Sequence, residues 1–160
     1  MFIITLKEFL KGNNGNDNME CLVMSNKIKH NLLKLEDIRE TINDVICFVT
    51  NERIINEEKE FQIKLVLNEL LTNCFKYANP SVEQPVEMEI ELGAQTLSLK
   101  IKDGGEGFDA HNWLEHLDEW DMERLYKGSG RGLLLAKQMA SELMFSDKGN
   151  AVFAKIDLSK

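Results

Sequence analysis

Between Val86 and Leu92 the chain reads Val-Glu-Met-Glu-Ile-Glu-Leu, and between Thr96 and Lys102 it reads Thr-Leu-Ser-Leu-Lys-Ile-Lys. Successive side chains of a strand point to opposite faces, so this period of two gives each segment one apolar and one polar face. Gly93-Ala94-Gln95 links them as a turn, making a hairpin in which glutamates on one strand can sit across from lysines on the other. A sheet that is wet on one side has to cover its other side with helices. The pattern therefore selects an α/β two-layer sandwich (α+β), with a mixed, mostly antiparallel sheet and all helices on one face.

The other segments supply those layers. Val152, Ala154, Ile156 and Leu158 alternate as a last strand over 151–158, and Ile28 to Leu35 can form another. Glu36-Asp37 open a helix, over about 36–50, whose apolar positions are Ile38, Ile42, Val45, Ile46 and Val49. Asn56-Glu57-Glu58 begin a longer helix, over about 57–78, which Asn79-Pro80 ends. Its buried stripe is Ile63, Leu67, Leu70, Leu71, Cys74 and Ala78. Glu69 and Asn73 are four apart and stand one turn above each other on a different face, shared with Gln62 and Lys76. A third helix is expected over 131–145, from Leu134, Leu135, Met139 and Leu143. Residues 1–26 read as an N-terminal extension or linker, because Lys11 to Asn18 are polar and rich in glycine and asparagine. Residues 27–160 then form one domain around a single core.

Composition narrows the function classes. Nineteen basic against 27 acidic residues leave a formal charge of −8, which argues against a general nucleic-acid or anionic-membrane surface. Cys21, Cys47 and Cys74 show neither metal spacing nor even pairing, as expected of free thiols in a reducing compartment. No apolar run approaches the ~20 residues of a membrane span, and Met1 to Leu6 lack the basic head and cleavage site of a signal peptide. A cytoplasmic protein is expected.

Two glycine clusters are candidates for chemistry. Asp103 ends a strand and is followed by Gly104, Gly105 and Gly107, then Phe108. Such a turn lets backbone approach a ligand, and the carboxylate can accept a hydrogen bond from an exocyclic amine such as that of adenine. An ordinary Asp-Gly turn followed by a core phenylalanine fits the same residues. Gly128-Ser129-Gly130-Arg131-Gly132 directly precedes a helix, so free amides and the positive helix end can face one anion. A flexible lid hinge fits equally. The spacing is neither that of a Walker A loop nor of a dinucleotide fingerprint, and no protein-kinase catalytic loop is present. Between the clusters, residues 109–127 carry Trp113, Leu114, Leu117, Trp120 and Leu125 and suggest one short helix within a loop.

Taken in order, Glu69-x-x-x-Asn73, Asp103-x-Gly105-x-Gly107-Phe108 and Gly128-Ser129-Gly130-x-Gly132-Leu133 resemble the N, G1 and G2 boxes of the ATPase superfamily shared by gyrase, histidine kinases and MutL. The resemblance spans roughly residues 27–158, and the small size and lack of a dimerisation helix pair make the chain look most like the anti-sigma-factor serine/threonine kinases, whose lid is also short. It implies an ATP site between helices and sheet under that lid. Asn73 matches the amide that binds Mg²⁺, Glu69 the general base, and Asp103 the carboxylate that reads adenine. Gly105 and Gly107 match the turn that admits the nucleotide, and Gly128, Ser129, Gly130 and Gly132 the lid end that closes on the phosphates. Lys76, Phe108, Arg131 and Leu133 lie within or beside the same boxes and join the expected nucleotide-binding set. The Lys76-Tyr77 ending is similar to that of histidine kinases. The implied function is a Mg·ATP-dependent kinase that phosphorylates a serine on a small STAS-type antagonist and otherwise sequesters a sigma factor, with homodimers, no direct nucleic acid and no membrane. The alternatives are a non-catalytic ATP-gated binding module and a stand-alone histidine-kinase-type catalytic domain.

Overall fold

The computed structural model describes residues 4–5, 22–23, 26–115 and 131–159. Its elements run β1 (Ile4–Thr5), β2 (Leu22–Val23), β3 (Lys27–Leu32), α1 (Asp37–Glu52), α2 (Glu57–Ala78), β4 (Val86–Leu92), β5 (Thr96–Lys102), α3 (Ala110–Glu115), α4 (Arg131–Met139), β6 (Glu142–Phe145) and β7 (Ala151–Asp157). Strands β3 to β7 form one sheet in the order β3-β4-β5-β7-β6, and every pairing in it is antiparallel. In the extension, β1 and β2 pair with each other.

Alternation in β4, β5 and β7 sends Met88, Ile90, Leu97, Leu99, Ile101, Ala154 and Ile156 to one buried face. Helices α1 and α2 cover that face with Ile42, Val45, Val49, Ile63, Leu67, Leu70 and Leu71, which completes the two-layer sandwich. On the opposite face Glu87 and Glu89 stand in register with Lys102 and Lys100 of β5, but the closest ion pairs go to the other neighbour. Lys27 Nζ lies 2.8 Å from Glu91 and Lys29 Nζ 2.7 Å from Glu89. These exposed pairs contribute little to stability and keep the face wet.

Local chemistry sets the element ends. The β3 strand stops at Leu32, short of the expected Leu35, because Asp37 Oδ2 accepts from the amides of both Leu33 and Lys34 at 3.0 Å and turns the chain into α1. Asn56 caps α2 by accepting from the Lys59 amide at 2.8 Å. At its other end Asn79 adopts the left-handed conformation, with Pro80 behind it. Arg53 donates to the Gly93 and Ala94 carbonyls and ties the end of α1 to the hairpin turn.

The third long helix is a correction. It ends at Met139 rather than 145, and Glu142–Phe145 form an edge strand paired with β7. Leu143 lies four residues after Met139, a helical spacing, yet Glu-Leu-Met-Phe is too short for periodicity to distinguish helix from strand. Tertiary bonding decides it. Both the amide and the hydroxyl of Ser141 donate to the Lys155 carbonyl, at 2.7 and 2.9 Å, and pull the chain into the sheet. No helix among the described residues is long and apolar enough to cross a membrane.

A buried histidine and a half-buried aspartate act against each other in acid. Burial lowers His30 from 6.5 to about 4, so the folded state keeps it neutral while the unfolded chain takes up a proton. The stability it contributes is complete above pH 6.5 and is lost as pH falls toward 4, by about 2 kcal/mol between pH 7 and pH 5. Asp44 is raised from 3.8 to about 6, first by burial and then by the charge of Glu40, so below pH 6 the folded state gains a proton that the unfolded chain does not. Acid therefore favours the fold through Asp44 and disfavours it through His30. Asp44→Asn should remove the compensation, and its melting temperature should fall more steeply than that of the wild type between pH 7 and pH 5. Parallel melting curves for the two proteins would contradict this.

Candidate functional site

The last two turns of α2 lie over the ends of β5 and β7, and a cavity of about 560 Å³ opens between them. A drug-sized or nucleoside-sized ligand fits such a volume. The α2 side contributes Leu70, Asn73, Cys74 and Tyr77. The opposite side comes from two loops: the glycine turn after β5, with Asp103, Gly105, Gly107 and Phe108, and the β6–β7 turn, with Gly149 and Asn150. Ile101, Leu133, Phe145 and Val152 make its apolar parts.

Asp103 is held more firmly than a turn residue needs to be. Its amide donates to the Asn150 carbonyl at 3.0 Å, and its own carbonyl accepts from Asn150 Nδ2 at 3.2 Å. Its Oδ1 accepts from the Gly105 amide at 2.8 Å, closing an Asx turn and fixing the plane of the carboxylate. Beneath it lies the Cys74 thiol, which is 7% exposed and donates to the Leu70 carbonyl at 3.3 Å. Burial first, then the charge and hydrogen bonding of Asp103, push this thiol far above its ordinary range. Cys74 is therefore a neutral floor for the cavity, and not a nucleophile.

The two loops lock together through glycine. Gly107 has φ +79°, and a Cβ there would overlap the Lys148 carbonyl. Gly149 has φ +74°, and a Cβ there would overlap the Phe108 carbonyl. Each loop occupies the space that a side chain on the other would need. Beside them the aromatic rings form a wall: Phe108 meets Phe145 edge-on at 5.3 Å, and Trp113 meets Phe145 at 6.0 Å. Phe108 thus serves packing and cavity at once, with 39% of its surface exposed.

Asn73 and Glu69 stand one turn apart on α2, as their spacing requires. Asn73 lines the cavity, and its amide nitrogen is buried with no hydrogen-bond partner among the described residues. Glu69 does not line the cavity. Its Oε2 occupies the position that a Cβ on Gly132 would take, so the carboxylate rests directly on the first turn of α4. Gln62 Nε2 donates to the Met139 carbonyl at the other end of the same helix. One face of α2 therefore grips α4 at both ends.

The structure brings Asn73, Asp103, Gly105, Gly107, Phe108 and Leu133 to one cavity, with Glu69 and Gly132 in contact at its side. Lys76 stays outside the lining, exposed, with its ammonium 5.1 Å from the centre of the Tyr77 ring. Arg131 is exposed at the start of α4. Gly128, Ser129 and Gly130, and most of the segment expected to form the lid, lie outside the described residues. Sequence reasoning missed Asn150, Gly149, Phe145 and Cys74 as cavity residues. The Lys148-Gly149-Asn150 turn was legible, but its place beside Asp103 depends on the register Lys102↔Ala151.

This arrangement suits a flat, largely apolar ligand that donates a hydrogen bond to a fixed carboxylate. No group of three or more His, Cys, Asp or Glu side chains placed to hold a metal occurs among the described residues. A Mg²⁺ ion held mostly by phosphates and water needs only an oxygen ligand or two from the protein. Asn73, which lines the cavity, carries a side-chain amide oxygen of that kind, while its unpartnered nitrogen is a donor and not a ligand. The family model of the histidine kinase-like ATPase domain matches residues 33–156, from the turn after β3 to the penultimate residue of β7. No curated protein matches the chain.

Proposed function

The chain belongs to the histidine kinase-like ATPase domain family, and from that premise we propose that the cavity binds Mg·ATP and that the protein is an anti-sigma-factor-type regulatory kinase. One observation carries the nucleotide reading: a carboxylate, Asp103, is fixed by backbone hydrogen bonding at the edge of an apolar cavity that the Asn73 side chain lines from the facing helix. The apolar lining would hold adenine, Asp103 would accept from its exocyclic amine, and Asn73 lies on the side left for the phosphates. Mg²⁺ held there through the Asn73 side-chain oxygen would supply charge neutralisation for the phosphates, the main need of phosphoryl transfer besides positioning. Asn73 orients that ion, and Glu69 accepts the proton of the attacking serine hydroxyl. The phosphoacceptor is a serine on a small STAS-type antagonist, and in its other state the protein, a cytoplasmic homodimer, sequesters a sigma factor. Incubation with labelled ATP, Mg²⁺ and candidate antagonists tests this, with acid-stable phosphoserine as the expected product.

A second reading rests on Glu69. Its carboxylate lies against Gly132 instead of facing the cavity. This favours an ATP-gated binding module in which Glu69 couples nucleotide state to α4 without proton transfer. His30, at 1% exposure, is too buried to serve as a phosphoacceptor.

Asp103→Asn tests the adenine contact directly. The amide can present a donor where an acceptor is needed, and loss of a charge-assisted hydrogen bond is worth about 1.5–3 kcal/mol. Calorimetry should show Mg·ATP binding weakened roughly tenfold or more. Equal binding by the two proteins would remove Asp103 from adenine recognition.

A further inference from the structure

Asp103 and Asn150 continue the β5–β7 ladder one step beyond its last assigned pair, Lys102↔Ala151. The Asp103 amide makes the expected bond to the Asn150 carbonyl. The return bond to the Asp103 carbonyl comes from the Asn150 side chain instead of its backbone. The Asn150 backbone nitrogen lies beside Gly107, 3.1 Å from where a Cβ on that residue would be. The side-chain amide is itself oriented. Ser146 Oγ lies 3.4 Å from Asn150 Oδ1, so the hydroxyl can donate to the oxygen and leave the nitrogen for Asp103. Ser146 is anchored in turn, since its Oγ accepts from the Ala151 amide at 3.2 Å.

We propose that Asn150 is a positioning residue for nucleotide recognition: its side chain, set by Ser146, fixes the backbone of Asp103 so that the carboxylate stays aimed at the base. This rests on the reading that Asp103 accepts from the exocyclic amine of adenine. A carboxylate can rotate about two side-chain torsions and can also move with its backbone. The Asx turn to Gly105 restrains the first motion, and Asn150 restrains the second. Asn150 also borders the cavity, so the Ser146–Asn150–Asp103 chain runs from the β6–β7 turn to the base-reading group. The device uses residues that follow all three nucleotide-site motifs in sequence.

The test is calorimetry with Mg·ATP and with the Mg²⁺ complex of purine riboside triphosphate, which lacks only the exocyclic amine. Wild-type protein should prefer ATP by about tenfold, the scale of one charge-assisted hydrogen bond. In Asn150→Ala that preference should fall to within about threefold, because the loss falls on the amine contact and not on the phosphates or the stacking. Asn150→Asp keeps the shape and removes the donor, so it should behave alike. Both retain the backbone bonds of the turn from Ser146 to Ala151 and from Gly149 to Ser146, and thermal melts establish that they are folded. Adding Asp103→Asn to either variant should cost less than about twofold more, since both changes break one coupled contact. A full preference for ATP in the folded Asn150 variants overturns the positioning role, as does equal weakening of both nucleotides. Equal affinity of the wild-type protein for the two nucleotides is a different result, and it overturns the reading of Asp103 itself.

Discussion

Gly107→Ala should lose both stability and nucleotide binding. Two costs add. The residue sits at φ +79°, a region that costs a side chain of order 1–3 kcal/mol. The new Cβ also overlaps a backbone carbonyl, that of Lys148, which belongs to a turn pinned by its own hydrogen bonds and cannot rotate away as a side chain would. The two loops must therefore separate, and Asp103 loses the partner that shapes its backbone. A total of roughly 3–5 kcal/mol would lower the melting temperature by about 10 °C or more in a domain of this size. Gly149→Ala should fail in the same way, because its Cβ meets the Phe108 carbonyl from the other side of the same joint. Gly93→Ala is the comparison. It has no positive φ, and its nearest contact is the Thr96 hydroxyl, which can rotate. If thermal melts find Gly107→Ala as stable as Gly93→Ala, the loops are not interlocked.

The legible parts of this molecule are those whose physics is local. Alternation over Val86–Leu92 and Thr96–Lys102 names the buried face whatever the strands pair with, and the layer architecture follows from it. Helix α2 was readable to its last turn because its cap, its stripe and its Asn-Pro stop all lie within the segment. The edge strand β6 was not, because four residues with a helix-compatible leucine are settled by a hydrogen bond to Lys155, which is fourteen residues from Ser141. The site divides in the same way. Asp103, Gly105 and Gly107 announce a special turn by composition alone. Asn150 carries no such sign, since it becomes a partner of Asp103 only through the pairing of β5 with β7. The contact of Glu69 with Gly132 joins two motifs that sequence reading placed in one site but had no means of setting against each other.

That contact makes Glu69 the residue on which enzyme and gated binder diverge. Glu69→Gln keeps the length and helix propensity of the side chain and so keeps the packing on Gly132, but it removes the proton acceptor. If Glu69 is the base, Mg·ATP binding should survive within a few-fold, and phosphoryl transfer to the antagonist should fall by about 10² to 10⁴. Gly132→Ala approaches the same carboxylate from the other side. Its Cβ needs the space that Oε2 holds, so either Glu69 turns away or α4 shifts, and the grip between α2 and α4 loosens. A base moved in this way should lose less transfer than Glu69→Gln does, because the proton acceptor is displaced and not removed. Asn73→Ala differs from both, because without the amide Mg·ATP binding and transfer should weaken together. The gated binder predicts another pattern. Glu69→Gln then leaves nucleotide-dependent partner release unchanged, Gly132→Ala disrupts it, and no phosphoserine forms with either protein or with the wild type. Parallel titration and phosphotransfer assays of the three variants separate these cases, and unimpaired partner phosphorylation by Glu69→Gln would remove Glu69 from the chemistry.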